Sequence, residues 1–336
     1  MMPKWLLDPE GPVRVRPGYL PRLAPWLLRF LAAGRPSRVR DLAAANAALC
    51  GRVYDDLLPL LADAGLSHML GTEGCLALYA NEAEFAADRD HLAVLERFGL
   101  PHEVLGGNAI RAREPAISTA IPRAVLFPNN RTVSSPYGLV AALAERFAER
   151  GGRIENGEVV GFDRADGAIE AVRLRDGRRL NCANVVLCAG AHTGQLSRMT
   201  QIGAPGIELG HSLIWPARAF MISPTAGGIR VGGTVEFGGL DAPPDYRRAR
   251  VLVRRAQQAL PGLVANEAVE WMGHRPALPD TIPIIGPSVT TKGVFYATGH
   301  GHLGLTQSAT TARLIADLMT GRAPPIDITP YRVNRF

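Results

Sequence analysis

The sequence predicts an α/β protein in two domains, one built on a sheet with parallel strands and the other on an antiparallel sheet. Three observations predict it. The 336 residues exceed the usual size of one domain. The apolar run Val185-Val186-Leu187-Cys188-Ala189, closed by Gly190, reads as a central strand of a parallel sheet, buried on both faces. Residues 213–222 and 229–235 instead alternate apolar and polar, as antiparallel strands with one wet face do.

Taken in order, the chain opens in a stretch rich in proline and arginine, with no cap or strand before it. Residues 19–33 (YLPRLAPWLLRFLAA) combine apolar side chains, arginines and a tryptophan, which suits a helix packed on a core or one lying on a membrane surface. Residues 41–64 have helical spacing closed by Gly65, 67–80 read as strands, and 81–98 form a further helix stopped by Gly99. After a strand at 122–130, Ser134-Ser135-Pro136 caps a helix running to Arg150 and ended by Gly151-Gly152, with proline at the start and glycine past the end. Four short β signals follow at 153–155, 158–163, 168–174 and 184–188, with Asp166-Gly167 and Asp176-Gly177 as hairpin turns. Residues 245–260 form an arginine-studded helix, 268–273 and 294–297 are strands, and 303–319 form the closing helix, stopped by Gly321.

Composition narrows the function classes. A hydrophobic share of 47% with 20% charged residues is that of a soluble globular protein. The net charge of +6 comes from arginine, since Lys4 and Lys292 are the two lysines. The arginines are scattered with no aromatic-interleaved stripe, which argues against nucleic acid; an anionic substrate or an acidic membrane surface fits better. Cys50, Cys75, Cys182 and Cys188 have no C-x-x-C spacing and read as reduced thiols of a cytosolic protein, with Cys188 buried in its apolar run. Residues 1–7 lack a signal-peptide core, and no apolar run is long enough to span a bilayer. The expected location is cytoplasmic, with the inner face of the cell membrane as a peripheral alternative.

The C-terminal part carries the chemistry. Trp271-x-Gly273-x-Arg275-Pro276, Pro279-Asp280, Pro283-Ile284-Ile285-Gly286 and Gly299-His300-Gly301-His302-Leu303-Gly304-Leu305-Thr306 end in a strand, a glycine-rich turn and a helix. Such a turn brings bare N–H groups and the positive end of a helix dipole to one point, which suits an electron-rich cofactor edge. These motifs, with Val185–Gly190, Ile229-Arg230-Val231-Gly232-Gly233 and the stretch from Lys4-Trp5 to Phe30, resemble the FAD-dependent D-amino-acid oxidase superfamily, most closely its bacterial D-amino-acid dehydrogenase branch.

The resemblance implies an FAD/NAD(P)-binding-type domain at 134–198 and 268–336, interleaved with an antiparallel-sheet substrate domain at 1–133 and 199–267. It implies FAD contacts from Val159 (by its backbone, to the adenine), Ala189, Gly190, Gly273, Gly299, Gly301, His302, Leu303, Gly304, Leu305 and Thr306. Arg275 corresponds to the arginine that grips the substrate carboxylate, a task suited to a planar two-pronged donor. His300 and His211 join it on the substrate side, His211 standing where a tyrosine is more usual. A lone His-x-His pair makes a poor metal site, so no metal is expected, and no residue is assigned as acid or base. The implied reaction is oxidation of a D-amino acid to a 2-oxo acid by hydride transfer to FAD, with oxygen or a quinone as final acceptor. Glycine, sarcosine, hydroxyproline or an opine are alternative substrates.

One departure stands out. Gly299–Gly304 matches G-x-G-x-x-G, yet a single helix follows it, so it does not open the βαβ unit of a pyrophosphate loop. No strand followed by that pattern occurs near residue 1. The expectation is that the first βαβ unit is missing from this chain: as a fragment or mis-set start, as an inactive paralogue without FAD binding, or as half of a split enzyme completed by a partner chain.

Overall fold

The computed structural model describes residues 11–190, 196–239, 242–243, 245–266 and 268–335; the matches at Lys4 and Trp5 lie outside them. Strand β1 (Val13–Val15) is followed by helices α1 (Leu20–Ala33), α2 (Pro36–Gly51) and α3 (Val53–Asp63). Next come β2 (Leu70–Gly71), β3 (Cys75–Tyr79), α4 (Glu82–Ala87), α5 (Arg89–Arg97), β4 (Glu103–Gly106), α6 (Gly107–Arg113), β5 (Arg123–Phe127), β6 (Thr132–Val133) and α7 (Pro136–Glu149). A run of strands follows: β7 (Val159–Ala165), β8 (Ala168–Leu174), β9 (Arg179–Asn181), β10 (Val185–Leu187), β11 (Leu196–Ile202), β12 (Ser212–Trp215), β13 (Phe220–Thr225) and β14 (Gly228–Phe237). Helix α8 (Arg247–Ala259), strands β15 (Ala268–His274), β16 (Ile284–Pro287) and β17 (Val294–Thr298) and helix α9 (Ser308–Met319) complete the order.

Two expected helices are each split. The 41–64 helix is interrupted at Arg52, whose guanidinium bonds Asp56 in the first turn of α3 at 3.1 Å. The 81–98 helix is interrupted at Asp88, at φ −96° and ψ 0°. The Tyr79 hydroxyl on β3 donates to the Asp88 carboxylate at 2.7 Å, so a contact from a strand accompanies the break.

The chain divides into two compact units, 1–20 with 68–139 and 195–274, and 21–67 with 140–194 and 275–336. The first carries the large sheet, in the order β15-β11-β14-β13-β12-β3-β5-β4, with β1 added alongside β14. Its ladders along that order are antiparallel except β12 on β3, and β1 joins β14 in parallel. Ile229 and Val231 alternate into its core with Leu76, Leu78, Leu213 and Ile222, and Leu252, Ala256 and Ala259 of α8 cover the same core. The single run expected at 213–222 is two strands, folded back where Ala219 adopts φ +49°.

In the second unit β10 pairs parallel with β17, Val186 opposite Phe295, and β16 pairs antiparallel with β17. Helices α9 and α2 pack around this small sheet through Leu314, Ile315, Ala45 and Leu49, with Ile285, Phe295 and Tyr331 between them. The Tyr331 hydroxyl donates to the Ala45 carbonyl at 2.6 Å. β7, β8 and β9 form a separate antiparallel meander.

Three expectations are corrected here. Among the described residues β10 has one strand neighbour, so it stands at an edge and is half-buried rather than central. Cys188, just past that edge strand, is exposed for the same reason. Residues 153–155 form no ladder, whereas β9 does. The unit boundaries also differ from the expected domains. Residues 21–67 pack with the second unit, and 268–274 join the first because β15 pairs with β11 from Ala268 opposite Ile202 to His274 opposite Leu196.

Candidate functional site

Because β10 and β17 run parallel, their carboxyl ends emerge on one side of the small sheet, where ligands of α/β sheets gather. Both ends turn on glycine. Gly190 sits at φ +57°, and the Thr298 hydroxyl reaches its carbonyl at 3.5 Å, tying the two ends together. Gly299 sits at φ +84°, and a Cβ there would meet Leu278 at 2.4 Å, so glycine is required for conformation and for space.

The turn that follows is held by backbone bonds. Gly301, at φ +57°, donates its N–H to the Pro276 carbonyl at 2.9 Å, Leu303 donates to His300 at 2.9 Å, and Gln307 donates to Leu303 at 2.8 Å. The first bond, with the bridge between Ala277 and His300, brings the segment after Arg275 against the turn. Among the described residues the N–H groups of Gly304, Leu305 and Thr306 have no hydrogen-bond partner, and α9 begins at Ser308 with its N-terminus at this point. The closing helix therefore starts later than 303, and the five intervening residues form the turn.

The side chains of this turn differ in exposure: His300 and Leu303 are half-buried, whereas His302, Leu305 and Thr306 are exposed. Burial pushes the His300 imidazole down to about 4, and its Nε2 lies 2.9 Å from the Thr311 hydroxyl. Burial, and then the charge of Arg275, lowers His302 as well. Burial pulls the Arg275 guanidinium below its ordinary value, and no carboxylate pairs with it among the described residues. Desolvated, unpaired charge is costly and marks a place where a ligand charge is expected. A cavity of about 460 Å³ adjoins the turn, lined by His300, Gly304, Ser308 and Thr311 on one part and by Val186, Cys188 and Ala297 on another.

Arg275, Gly299, His300, Gly301, His302, Leu303, Gly304, Leu305 and Thr306 are thus contiguous, with Ala189 and Gly190 at the neighbouring strand end. Val159 lies at the start of β7, half exposed and opposite Leu174. Gly273 and His211 belong to the first unit, Gly273 opposite Ser197 in the β11–β15 ladder. His211 is buried just before β12, and Glu114 holds it. The Glu114 carboxylate accepts from the Gly210 and His211 N–H groups at 2.8 and 3.0 Å and from His211 Nδ1 at 3.2 Å. Sequence reading missed Glu114, Thr298 and Thr311, because nothing local marks a partner 97 residues away.

Three N–H groups without a partner among the described residues at a helix start, Gly299 where a Cβ would intrude, and a nearby cation make a cradle for an electron-rich ring edge. A flavin edge fits these residues. The fold and the turn together define a redox-cofactor protein of the α/β class. The match to the family of FAD-dependent oxidoreductases covers residues 15–318, and the chain belongs to that family. It is an FAD-dependent oxidoreductase. It is 30% identical over 356 residues to a D-amino-acid oxidase of Bradyrhizobium diazoefficiens, covering 100% of this chain and 84% of that protein. A D-amino acid dehydrogenase of Methylobacterium nodulans is 30% identical over 344 residues, covering 96% and 81%. In fold the chain is similar to glycine oxidase from Geobacillus kaustophilus, with a TM-score of 0.71, 22% identity and coverage of 90% and 84%. L-proline dehydrogenase from P. horikoshii superposes with a TM-score of 0.73 at 19% identity, covering 87% and 84%.

Proposed function

We propose that the chain oxidises the Cα–N bond of a D-amino acid to an imine, which water hydrolyses to a 2-oxo acid and ammonia. The observation that carries this reading is Arg275, an unpaired and desolvated guanidinium beside the glycine turn. Its planar fork would hold the substrate carboxylate through two charge-assisted hydrogen bonds. Bound FAD supplies the acceptor for the hydride that leaves Cα.

The chain's own contribution is placement and charge. Gly304, Leu305 and Thr306 would present their N–H groups to the electron-rich cofactor edge, and the start of α9 adds its dipole there. The His300 imidazole is lowered by burial and that of His302 by desolvation and the charge of Arg275, which favours their neutral forms beside the Arg275 cation. No side chain is needed as a strong base when the amine reacts in its neutral form. In this reading the second unit holds FAD, with Val159, Ala189, Gly190 and the turn as contacts. His211, oriented by Glu114, belongs to the substrate side. The names of the relatives from Bradyrhizobium and Methylobacterium support the D-amino-acid choice.

An anaerobic titration of the FAD-loaded chain tests this. D-Alanine and other D-amino acids should bleach the flavin absorbance, while the L-enantiomers leave it intact. Bleaching by L-amino acids or glycine in preference to D-amino acids would sink the assignment. Reoxidation with oxygen against a soluble quinone then separates oxidase from dehydrogenase.

A further inference from the structure

Helix α1 and the start of α2 present an unusual corner. The inner side of α1 is anchored: Leu23 is buried, Trp26 donates its indole N–H to the Ala277 carbonyl at 3.2 Å, and Trp26 stacks on Phe30 with ring centroids 5.2 Å apart. That anchoring turns Leu28 and Leu31 outward, 69% and 64% exposed, with Leu20 and Val39 also exposed. Isolated exposed leucines are ordinary; several flanked by cations on one corner are not.

The cations are Arg22, Arg29, Arg35, Arg38 and Arg40, and Asp41 is the one carboxylate between residues 11 and 54. None of the five makes an ion pair among the described residues. Arg29, Arg35 and Arg38 converge, with Ser37, on a cavity of about 400 Å³. The carboxylate lining that cavity, Asp280, is already engaged by Arg335, at 2.7 Å through Nε and 3.1 Å through Nη2. Three uncompensated guanidinium groups therefore share one concavity, beside leucines that point away from the protein.

We infer that this corner docks on an anionic phospholipid bilayer, the arginines taking the headgroup phosphates and Leu28 and Leu31 entering the interface. Charge complementarity selects the partner's sign, and the paired leucines select a surface with an apolar interior over a free anion. The inference stands independently of the amino-acid substrate.

Co-sedimentation of the FAD-loaded chain with vesicles tests it. Vesicles of phosphatidylcholine with about one-third phosphatidylglycerol should carry the protein down at least ~10-fold better than phosphatidylcholine alone, and 0.5 M salt should abolish most of the difference (roughly a 4 Å screening length). A triple Arg29→Ser, Arg35→Ser, Arg38→Ser variant should lose the binding, and the same three positions as lysine should keep most of it. The double variant Leu28→Asp, Leu31→Asp should lose it too, while a charge-matched triple on the meander (Arg173→Ser, Arg175→Ser, Arg178→Ser) should keep it. Flavin content and circular dichroism check that each variant is folded. Equal sedimentation with both vesicle types overturns the inference, as does equal loss in the meander triple. Undiminished binding by the aspartate variant, or full competition by 10 mM inorganic phosphate, would also overturn it, leaving a site for a soluble anion or an acidic protein.

Discussion

The arginines of the β7–β9 meander and Arg275 show opposite uses of the same side chain. On the meander Arg173 and Arg179 both reach Asp163, Arg175 forks onto Glu158, and Arg178 bridges Asp176 and Glu155. Those pairs are solvent-exposed, so water competes for each charge and the net contribution to stability is small. Around Arg275 there is no carboxylate among the described residues, and burial removes water from the guanidinium. Its neighbours are shifted the same way: the imidazoles of His300 and His302 are both lowered, which disfavours their charged forms. The contrast teaches that a pair can be present and contribute little, while an absent partner in a dry place marks the position of a ligand's charge.

The largest test of that contrast is Arg275→Ala. The KM for carboxylate substrates should rise roughly 10- to 100-fold, the range for a charge-assisted hydrogen bond lost from a desolvated site, with flavin content retained. Arg275→Lys should recover part of the loss, since a point charge replaces a fork. Loss of flavin with unchanged activity per bound flavin would assign Arg275 to the cofactor instead.

A smaller effect probes the burial of His300. His300 has its value lowered from 6.5 to about 4 in the folded chain, so between those values the unfolded chain binds more protons. Its contribution to stability is therefore complete above about pH 6.5 and is lost as pH falls toward 4, by up to about 3 kcal/mol before any allowance for partial exposure. Thermal melts across pH 4–7 should show that slope, and His300→Gln should flatten part of it. An unchanged slope in the variant would mean that His300 is solvated.

The smallest expected effect is on the meander. Arg175→Ala removes a forked but exposed pair and should shift Tm by less than about 2 °C. A larger drop would show that the exposed pairs act as a network, and would break the comparison.

Much of the local architecture was legible because its causes are local. Pro136 opens α7 and Gly151 ends it at φ +85°. The turn Asp166-Gly167 has both residues at positive φ, and β8 keeps the expected bounds. The strand, glycine turn and helix at the C-terminus could be read for the same reason: glycines, a preceding apolar strand and a following amphipathic run are neighbours in sequence. What could not be read depends on distant residues. The apolar run 185–188 suggested a central strand, but strand position depends on which other segments pair with it. The break at Asp88 has no proline or glycine to announce it, and at Arg52 the single Gly51 is not enough to mark one.

The sequence by itself determined the family, the α/β class, the glycine turn at Gly299–Thr306 and the candidacy of Arg275, because backbone stereochemistry and motif spacing are properties of consecutive residues. Only the tertiary structure decided that Glu114 holds His211, that His300 meets Thr311, and that Cys188 is exposed. It also decided which of the many arginines are paired on the meander and which, among the described residues, have no ion pair, as at Arg29, Arg35, Arg38 and Arg275. Burial and ion pairing are set by what the fold brings within about 4 Å, and composition carries no information about that distance.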